Sequence, residues 1–217
     1  MNLTQEMSKV EVKGFEAKFY DRFMDIITFG YYPFFIRKAI KNLNLQKGQR
    51  ILDFGAGTGR NALLMYRYVG DEGEIVGLEI GKEMQEQFLR NCNAYQNIKL
   101  ENLRIDSPLP FKEEFDVVFI SFVLHGFIQD KRDIIIQNAY NALKPHGTFA
   151  ILDYANFDVD KAPWYVRFPI QKVECPLAQD FIERDTKKML ESFGFGDFEE
   201  SFSFGGYVRL LKAKKWK

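Results

Sequence analysis

The stretch ILDFGAGTGR, residues 51–60, carries glycines at 55, 57 and 59 behind an aspartate at 53. The segment "RILDF" reads as a short strand. The residues after Gly59 read as a helix with Leu63, Leu64 and Tyr68 on its apolar face and a stop near Gly70. A strand that turns through glycines into a helix is the ligand-binding corner of an open α/β sheet, where small molecules sit beyond the carboxyl ends of the strands. Without Cβ atoms at Gly55, Gly57 and Gly59 the backbone turns tightly and a ligand can approach the main chain.

The chain alternates on both sides of this loop. Upstream, residues 16–28 place Phe19, Phe23, Ile26 and Ile27 at helical spacing, "FGYYPFF" interrupts, and a second helix spans about 34–43 before a turn at Gly48. Downstream come a strand in "GEIVGLEI", a helix with Met84, Phe88 and Leu89 on one face, and strands in "NIKLENL" and "FDVVFISF". The near-continuous apolar run of the last suits burial on both faces. A helix over "DKRDIIIQNAYNALKPHG", closed by Pro-His-Gly, leads to a fifth strand, "TFAILDY". This is the pattern of a doubly wound, Rossmann-like α/β sheet, mostly parallel, with helices on both faces. Residues 155–182, with Pro163, Pro169 and Pro176, read as an irregular, substrate-facing insertion. "ERDTKKMLESFGFG" reads as a helix, and "DFEESFSFGGYVRLLKAKK" as two strands joined at Gly-Gly, an antiparallel edge hairpin. Residues 1–44 are expected to form an N-terminal helical segment and substrate lid, and 45–217 the ligand-binding domain.

The loop's spacing bears on the ligand. A nicotinamide or flavin cofactor asks for G-x-G-x-x-G, with its pyrophosphate on the helix N-terminus; here the third glycine comes one residue early. Asp53 would repel a pyrophosphate and favour an ammonium group. Glu79, twenty residues past Gly59 at the end of the second strand, stands where a carboxylate accepts from ribose hydroxyls. An adenosine cofactor with a cationic amino acid and no phosphate is S-adenosylmethionine. Asp106 and Ser107, after the third strand, fit the adenine amine, and Ser121 and His125, past the fourth, lie where the sulfonium methyl should point. Each has a plainer reading: a loop cap for Asp53, a solvated strand end for Glu79, a turn for Asp106–Ser107, a cap for Ser121 and a packed histidine for His125.

Composition narrows the partners. The 30 basic and 30 acidic residues balance, so the basic face of a nucleic-acid binder is not expected. Cys92 and Cys175 have no metal-binding spacing, no metal is expected, and the polar start and lack of a long apolar run point to a cytoplasmic chain. The 22 Phe and 10 Tyr fit either a Phe-rich core or a flat apolar pocket.

Through "YDRFMDIITFG", "ILDFGAGTGR", "GEIVGLEIGKEM", "IDSPLPFKEEFDVVFISFVLHGF", "NALKPHGTFAILDY", "DTKKMLESFGF" and "FGGYVRLLKA", the chain resembles the class I S-adenosylmethionine-dependent methyltransferases. More narrowly it resembles the ubiquinone/menaquinone-biosynthesis C-methyltransferase family. The resemblance implies a seven-stranded sheet with an antiparallel last strand. It also implies cofactor contacts at Thr58, Glu79, Asp106–Ser107 and Ser121, to which the loop neighbours Ala56 and Ile80 are added. S-adenosylhomocysteine would be the product. The family's tyrosine-containing insertion after strand five has no counterpart in residues 155–182, so cofactor binding carries over and quinone specificity does not. His125 is the expected base for a phenolic or hydroquinone acceptor. Tyr20, Phe29, Tyr31, Tyr32, Trp164 and Phe168 are the expected lid over a flat apolar acceptor, and with a polyprenylated ring that surface would also touch a membrane peripherally. Other small-molecule, lipid or macromolecular acceptors, or a nicotinamide-dependent oxidoreductase, are the competing readings.

Overall fold

The computed structural model describes residues 4–5, 31–172 and 174–216. The expected helix over 16–28, Tyr20 and Phe29 lie outside the described residues. Elements follow in the order α1 (Tyr32–Asn42), β1 (Arg50–Phe54), α2 (Arg60–Val69), β2 (Glu74–Leu78), α3 (Lys82–Cys92), β3 (Ile98–Glu101) and β4 (Phe115–Ser121). A 3₁₀ turn (Leu124–Gly126) comes next, then α4 (Gln129–Ala142), β5 (Leu143–Tyr154), α5 (Trp164–Lys172), α6 (Pro176–Glu183), α7 (Thr186–Glu191), β6 (Phe195–Ser203) and β7 (Val208–Lys215). The seven strands form one sheet in the order β3-β2-β1-β4-β5-β7-β6. The first five are parallel, and β7 runs antiparallel to both β5 and β6. The chain reverses its winding between β1 and β4, and open α/β sheets bind ligands at the carboxyl ends of the strands beside such a switch point.

Alternation along the strands divides the core in two. Ile51, Ile75, Val117, Phe119, Ala150 and Leu152 pack under α1, α2 and α3. Their neighbours Leu52, Val76, Val118, Ile120, Phe149 and Ile151 pack under α4, α6 and α7. A strand side chain points to the opposite face from the one before it, so a run such as Val117–Ile120 feeds both layers and is buried throughout. Each such buried Ile or Phe contributes about 1.5–3 kcal/mol of burial free energy.

Several expectations need correction. Helix α2 buries Ala62, Met65 and Val69, not Leu63, Leu64 and Tyr68; Tyr68 is exposed. Helix α3 buries Met84, Phe88 and Cys92 at strict i, i+4 spacing and leaves Leu89 exposed. Helix α4 ends at Ala142, and "KPHG" is the irregular start of β5, bulged opposite Phe115–Val117 with His146 at a positive φ of 63°. The stretch read as irregular is largely helical: Pro176 stands in the first turn of α6, and Pro163 immediately precedes α5. A proline in the first helical turn loses no intrahelical bond, so it opens a helix rather than breaking one. Pro33 does the same for α1. Residues 32–43, grouped by sequence with the lid, place Phe35, Ile36, Ala39, Ile40 and Leu43 in the same core as the sheet.

Candidate active site

The glycine loop leaves β1 and is fastened from below and behind. The amides of Gly55 and Ala56 both donate to the Leu78 carbonyl at the end of β2, at 2.9 and 3.0 Å. Asn91 on α3 donates to the Thr58 carbonyl at 2.9 Å. Glu79 then ties two loops together: its carboxylate accepts from the amide of Gly57 (3.0 Å) and from those of Ile80 (2.9 Å) and Gly81 (2.7 Å). Asn91 escaped the sequence reading because an exposed helical Asn carries no motif.

The three glycines have different tasks. At Gly59, φ is +81° and an added Cβ would lie 2.7 Å from Cys92 Sγ and 3.0 Å from Phe88, so this glycine lets α3 close on the loop. Gly55 makes the same room for Val123. Around Gly57, at φ +53°, nothing lies within 4 Å of such a Cβ. Of the three, expected alike to clear space for a ligand, Gly57 alone has open space where a Cβ would stand.

Asp53, the penultimate residue of β1, is 1% exposed, and its Oδ2 has no hydrogen-bond partner among the described residues. Burial, and then the charge of Glu79, push its pKa up to about 7. A buried carboxylate oxygen without a donor calls for a cation. The first turn of α2 has no side-chain cap, and the dipole of a helix N-terminus favours an anion. Together the two suit the zwitterionic amino-acid end of S-adenosylmethionine, and Glu79 suits its ribose.

Asp106 and Ser107 follow β3 as expected, but Asp106 is already engaged. Arg104 reaches its carboxylate with Nε and Nη2 at 3.0 and 3.2 Å, and Lys131 Nζ lies 3.5 Å away. Burial raises the pKa of this carboxyl, and the two cations outweigh burial and hold it below its ordinary value. Asn138 of α4 fixes the loop by donating to the carbonyls of Ile105 (2.8 Å) and Ser107 (2.7 Å).

A second group of residues gathers at the ends of β4 and β5. Ser121 closes β4, paired with Leu152, and Phe122 follows with a left-handed backbone, φ 53°. That conformation costs a bulky residue on the order of 1–3 kcal/mol. Its ring lies 6.1 Å from Phe35 and 6.4 Å from Tyr154, and Phe35 and Tyr31 both contact Phe204 in the β6–β7 turn. Of the expected lid residues, Tyr31 is on this aromatic row and half exposed. Tyr32 is a core residue under the Arg60 guanidinium, and Trp164 and Phe168 stand exposed on α5. His125, in the 3₁₀ turn, is buried with Nδ1 2.7 Å from the Asp153 carboxylate. Phe122, Asp153, Tyr154 and Glu174 were missed by sequence reasoning. Only the placement of Asp153 and Tyr154 at the end of a predicted strand could have flagged them.

A family profile described as a methyltransferase domain matches residues 45–194. The chain belongs to this methyltransferase-domain family. Its sheet has the architecture of solved S-adenosylmethionine-dependent methyltransferases. It is 34% identical over 140 residues to the ubiquinone/menaquinone biosynthesis C-methyltransferase of Haemophilus ducreyi, a match covering 63% of this chain and 53% of that one. The corresponding protein of Photorhabdus laumondii is 29% identical over 219 residues, covering 91% and 86%. Several of these relatives are matched over about half of their own length. Among solved structures, a methyltransferase from Aquifex aeolicus superposes with a TM-score of 0.64 at 20% identity, covering 83% of this chain and 89% of that one. A phosphoethanolamine N-methyltransferase from Haemonchus contortus, solved with S-adenosyl-L-methionine, gives 0.63 at 15% identity, covering 80% and 50%. At such identities these structures speak for the methyltransferase fold alone.

Proposed function

We propose that the protein moves the methyl group of S-adenosylmethionine to carbon on a small, neutral, aromatic acceptor of the phenol or quinol type. The observation that carries the cofactor half is the buried Oδ2 of Asp53, without a partner among the described residues, four residues before the open backbone of Gly57. Asp53 would hold the ammonium, Glu79 the ribose, and the Asp106–Ser107 loop the adenine. When bound, the cofactor supplies an electrophilic methyl on a sulfonium. The protein's own part is to position and to exclude water: Asp53 fixes the amino-acid end, while Ser121 and Phe122 border the acceptor side. The same carboxylate disfavours the pyrophosphate that a nicotinamide reading requires.

The carbon acceptor rests on the likeness to the quinone-pathway C-methyltransferases and on the aromatic row of Tyr31, Phe204, Phe35, Phe122 and Tyr154. An acceptor with a polyprenyl tail would arrive from a bilayer, and Trp164, Tyr165 and Phe168 project from α5 beside the basic Arg167 and Lys172. We assign this face to peripheral membrane contact, although no helix among the described residues is long and apolar enough to cross a membrane. Co-sedimentation with anionic vesicles should fall in the W164S/F168S variant, and absence of wild-type binding would remove that assignment. Calorimetry with S-adenosylhomocysteine and NADH tests the cofactor: heat with the first alone is expected, and heat with NADH alone would overturn the proposal. Transfer of labelled methyl to a chemically reduced 2-polyprenyl-1,4-naphthoquinone lacking the ring methyl tests the acceptor. Label on an amine or carboxylate panel instead would favour the broader methyltransferase reading.

A further inference from the structure

Asp153, His125, Tyr154 and Glu174 form a connected polar cluster at the carboxyl ends of β4 and β5. The Asp153 carboxylate faces His125 Nδ1 at 2.7 Å and accepts from the amides of His125 (3.2 Å) and Tyr154 (2.8 Å). The opposite ring nitrogen, Nε2, faces Glu174 Oε2 at 3.9 Å, and the Tyr154 hydroxyl donates to Glu174 Oε1 at 2.7 Å. Behind the turn, buried Arg132 donates to the carbonyls of His125 (3.3 Å) and Leu124 (3.4 Å) and pairs with Asp180 at 2.6 Å. The buried Cys175 thiol completes the surroundings.

An imidazole between two carboxylates keeps its proton. Burial works against that charge, and Arg132 opposes it from behind. Asp153 and Glu174 outweigh both and raise the His125 pKa above the ordinary imidazole value. A raised pKa favours the protonated ring, which has no free lone pair, so a neighbouring group is better placed than His125 for the base role. Burial and then Glu174 push the Tyr154 hydroxyl further up, which makes it a donor. The Asp153 side chain is 2% exposed, while that of Glu174 is 29% exposed, so Glu174 is the member that an incoming molecule can reach.

We propose that Glu174 is the proton acceptor for the hydroxyl of the methyl acceptor, positioned by Tyr154 and backed by the Asp153–His125 pair. The proposal rests on the methyltransferase reading of the site. The acceptor's O–H bond breaks, its proton goes to a Glu174 oxygen, and the electron pair stays on the substrate and enriches the ring carbon. That carbon's pair forms the new bond to methyl while sulfur keeps the pair of the broken C–S bond. The ring carbon's hydrogen then leaves to water as a proton, and Glu174 returns its own to the oxygen, so one proton is released per turnover. Glu174 and Asp153 repel carboxylate and phosphate groups here, which selects a neutral hydroxyl-bearing ring.

Three readouts test this. Glu174→Gln should bind S-adenosylhomocysteine within about twofold of wild type yet lose about a hundredfold or more in kcat with the reduced polyprenyl naphthoquinone. Glu174→Asp should recover part of the rate. A kcat within about threefold of wild type would overturn the proposal, as would lost S-adenosylhomocysteine affinity, which would make Glu174 structural. The third readout needs no acceptor. The chain has two histidines, so imidazole nitrogen NMR with His146→Gln for assignment follows His125 alone. Its titration midpoint should fall in Glu174→Gln, and an unmoved midpoint would overturn the proposal. Wild-type protein that binds no S-adenosylhomocysteine, or does not methylate the probe, would strike the proposed function, and the NMR titration would still decide whether Glu174 holds the His125 charge.

Discussion

Asp53→Asn separates the electrostatic cost of the unliganded site from its use. With a pKa pushed up from 3.8 to about 7, the ionised carboxylate is destabilised by roughly three pKa units, or about 4 kcal/mol. The sign follows from linkage. A carboxyl whose folded pKa lies above its unfolded value favours the folded state at low pH, and that contribution is lost as pH rises from 3.8 through about 7. Unliganded wild type should therefore lose Tm between pH 5 and 8 relative to Asp53→Asn, which keeps the shape without the charge. Ligand affinity should run the other way. If the ammonium of S-adenosylhomocysteine pairs with ionised Asp53, affinity rises about tenfold per pH unit below 7 and levels off above it, so binding at pH 5.5 should be about thirtyfold weaker than at pH 8. Loss of a hydrogen bond between charged groups in Asp53→Asn should cost about 1.5–3 kcal/mol at pH 8 and flatten the profile. Calorimetry in two buffers of different ionisation enthalpy counts the protons directly: about one released on binding near pH 6 in wild type and about none in the variant. Equal affinity and equal proton release in both proteins would refute the pairing.

The other consequences are simpler. Gly59→Ala forces a Cβ to within 2.7 Å of Cys92 Sγ at a positive φ and should cost about 1–3 kcal/mol of stability. Gly57→Ala, whose Cβ would meet nothing within 4 Å, should cost less on melting and more on S-adenosylhomocysteine affinity; the reverse order in either assay would mean that the ligand does not pass Gly57. Arg132→Met strips the donors from three buried carbonyls and one partner from Asp180. It should cost about 3–5 kcal/mol by urea unfolding, and a loss under 1 kcal/mol would show that the carbonyls find other donors.

The cofactor half of the site was legible because its chemistry is local. Asp53 and the three glycines lie within seven residues, and Glu79 directly follows the next strand. The mostly parallel α/β sheet also followed, because strands alternating with helices of ten to fifteen residues point to one. Helix faces were less legible: on α2 both Leu63–Leu64 and Ala62–Met65–Val69 satisfy a 3.6-residue period, and packing against α1 and the sheet decides between them. The acceptor half was the least legible. His125 and Asp153 meet across 28 residues, and Glu174 arrives from the junction of α5 and α6, in a stretch whose prolines suggested no helix at all. No spacing rule encodes such a meeting, which exists only once β4 and β5 pair.

Gly55 shows that the two halves are not independent. Its missing Cβ is the space occupied by Val123, 2.8 Å from where that atom would stand, and Val123 lies between the strained Phe122 and the turn that bears His125. An alanine at 55 must therefore push on Val123 as well as strain its own backbone at φ +72°. Phe122 already sits in a costly conformation, held by the hydrogen bond its amide donates to the Leu152 carbonyl at 2.8 Å and by its ring contacts, so displacement of Val123 has little slack to absorb it. Gly55→Ala should accordingly shift the His125 imidazole signals, in the absence of any acceptor, as clearly as it lowers Tm. A lowered Tm with unmoved His125 signals would mean that the glycine loop and the acceptor turn adjust separately. In that case the spacing between methyl donor and Glu174 would have to be set by β4 and β5 alone.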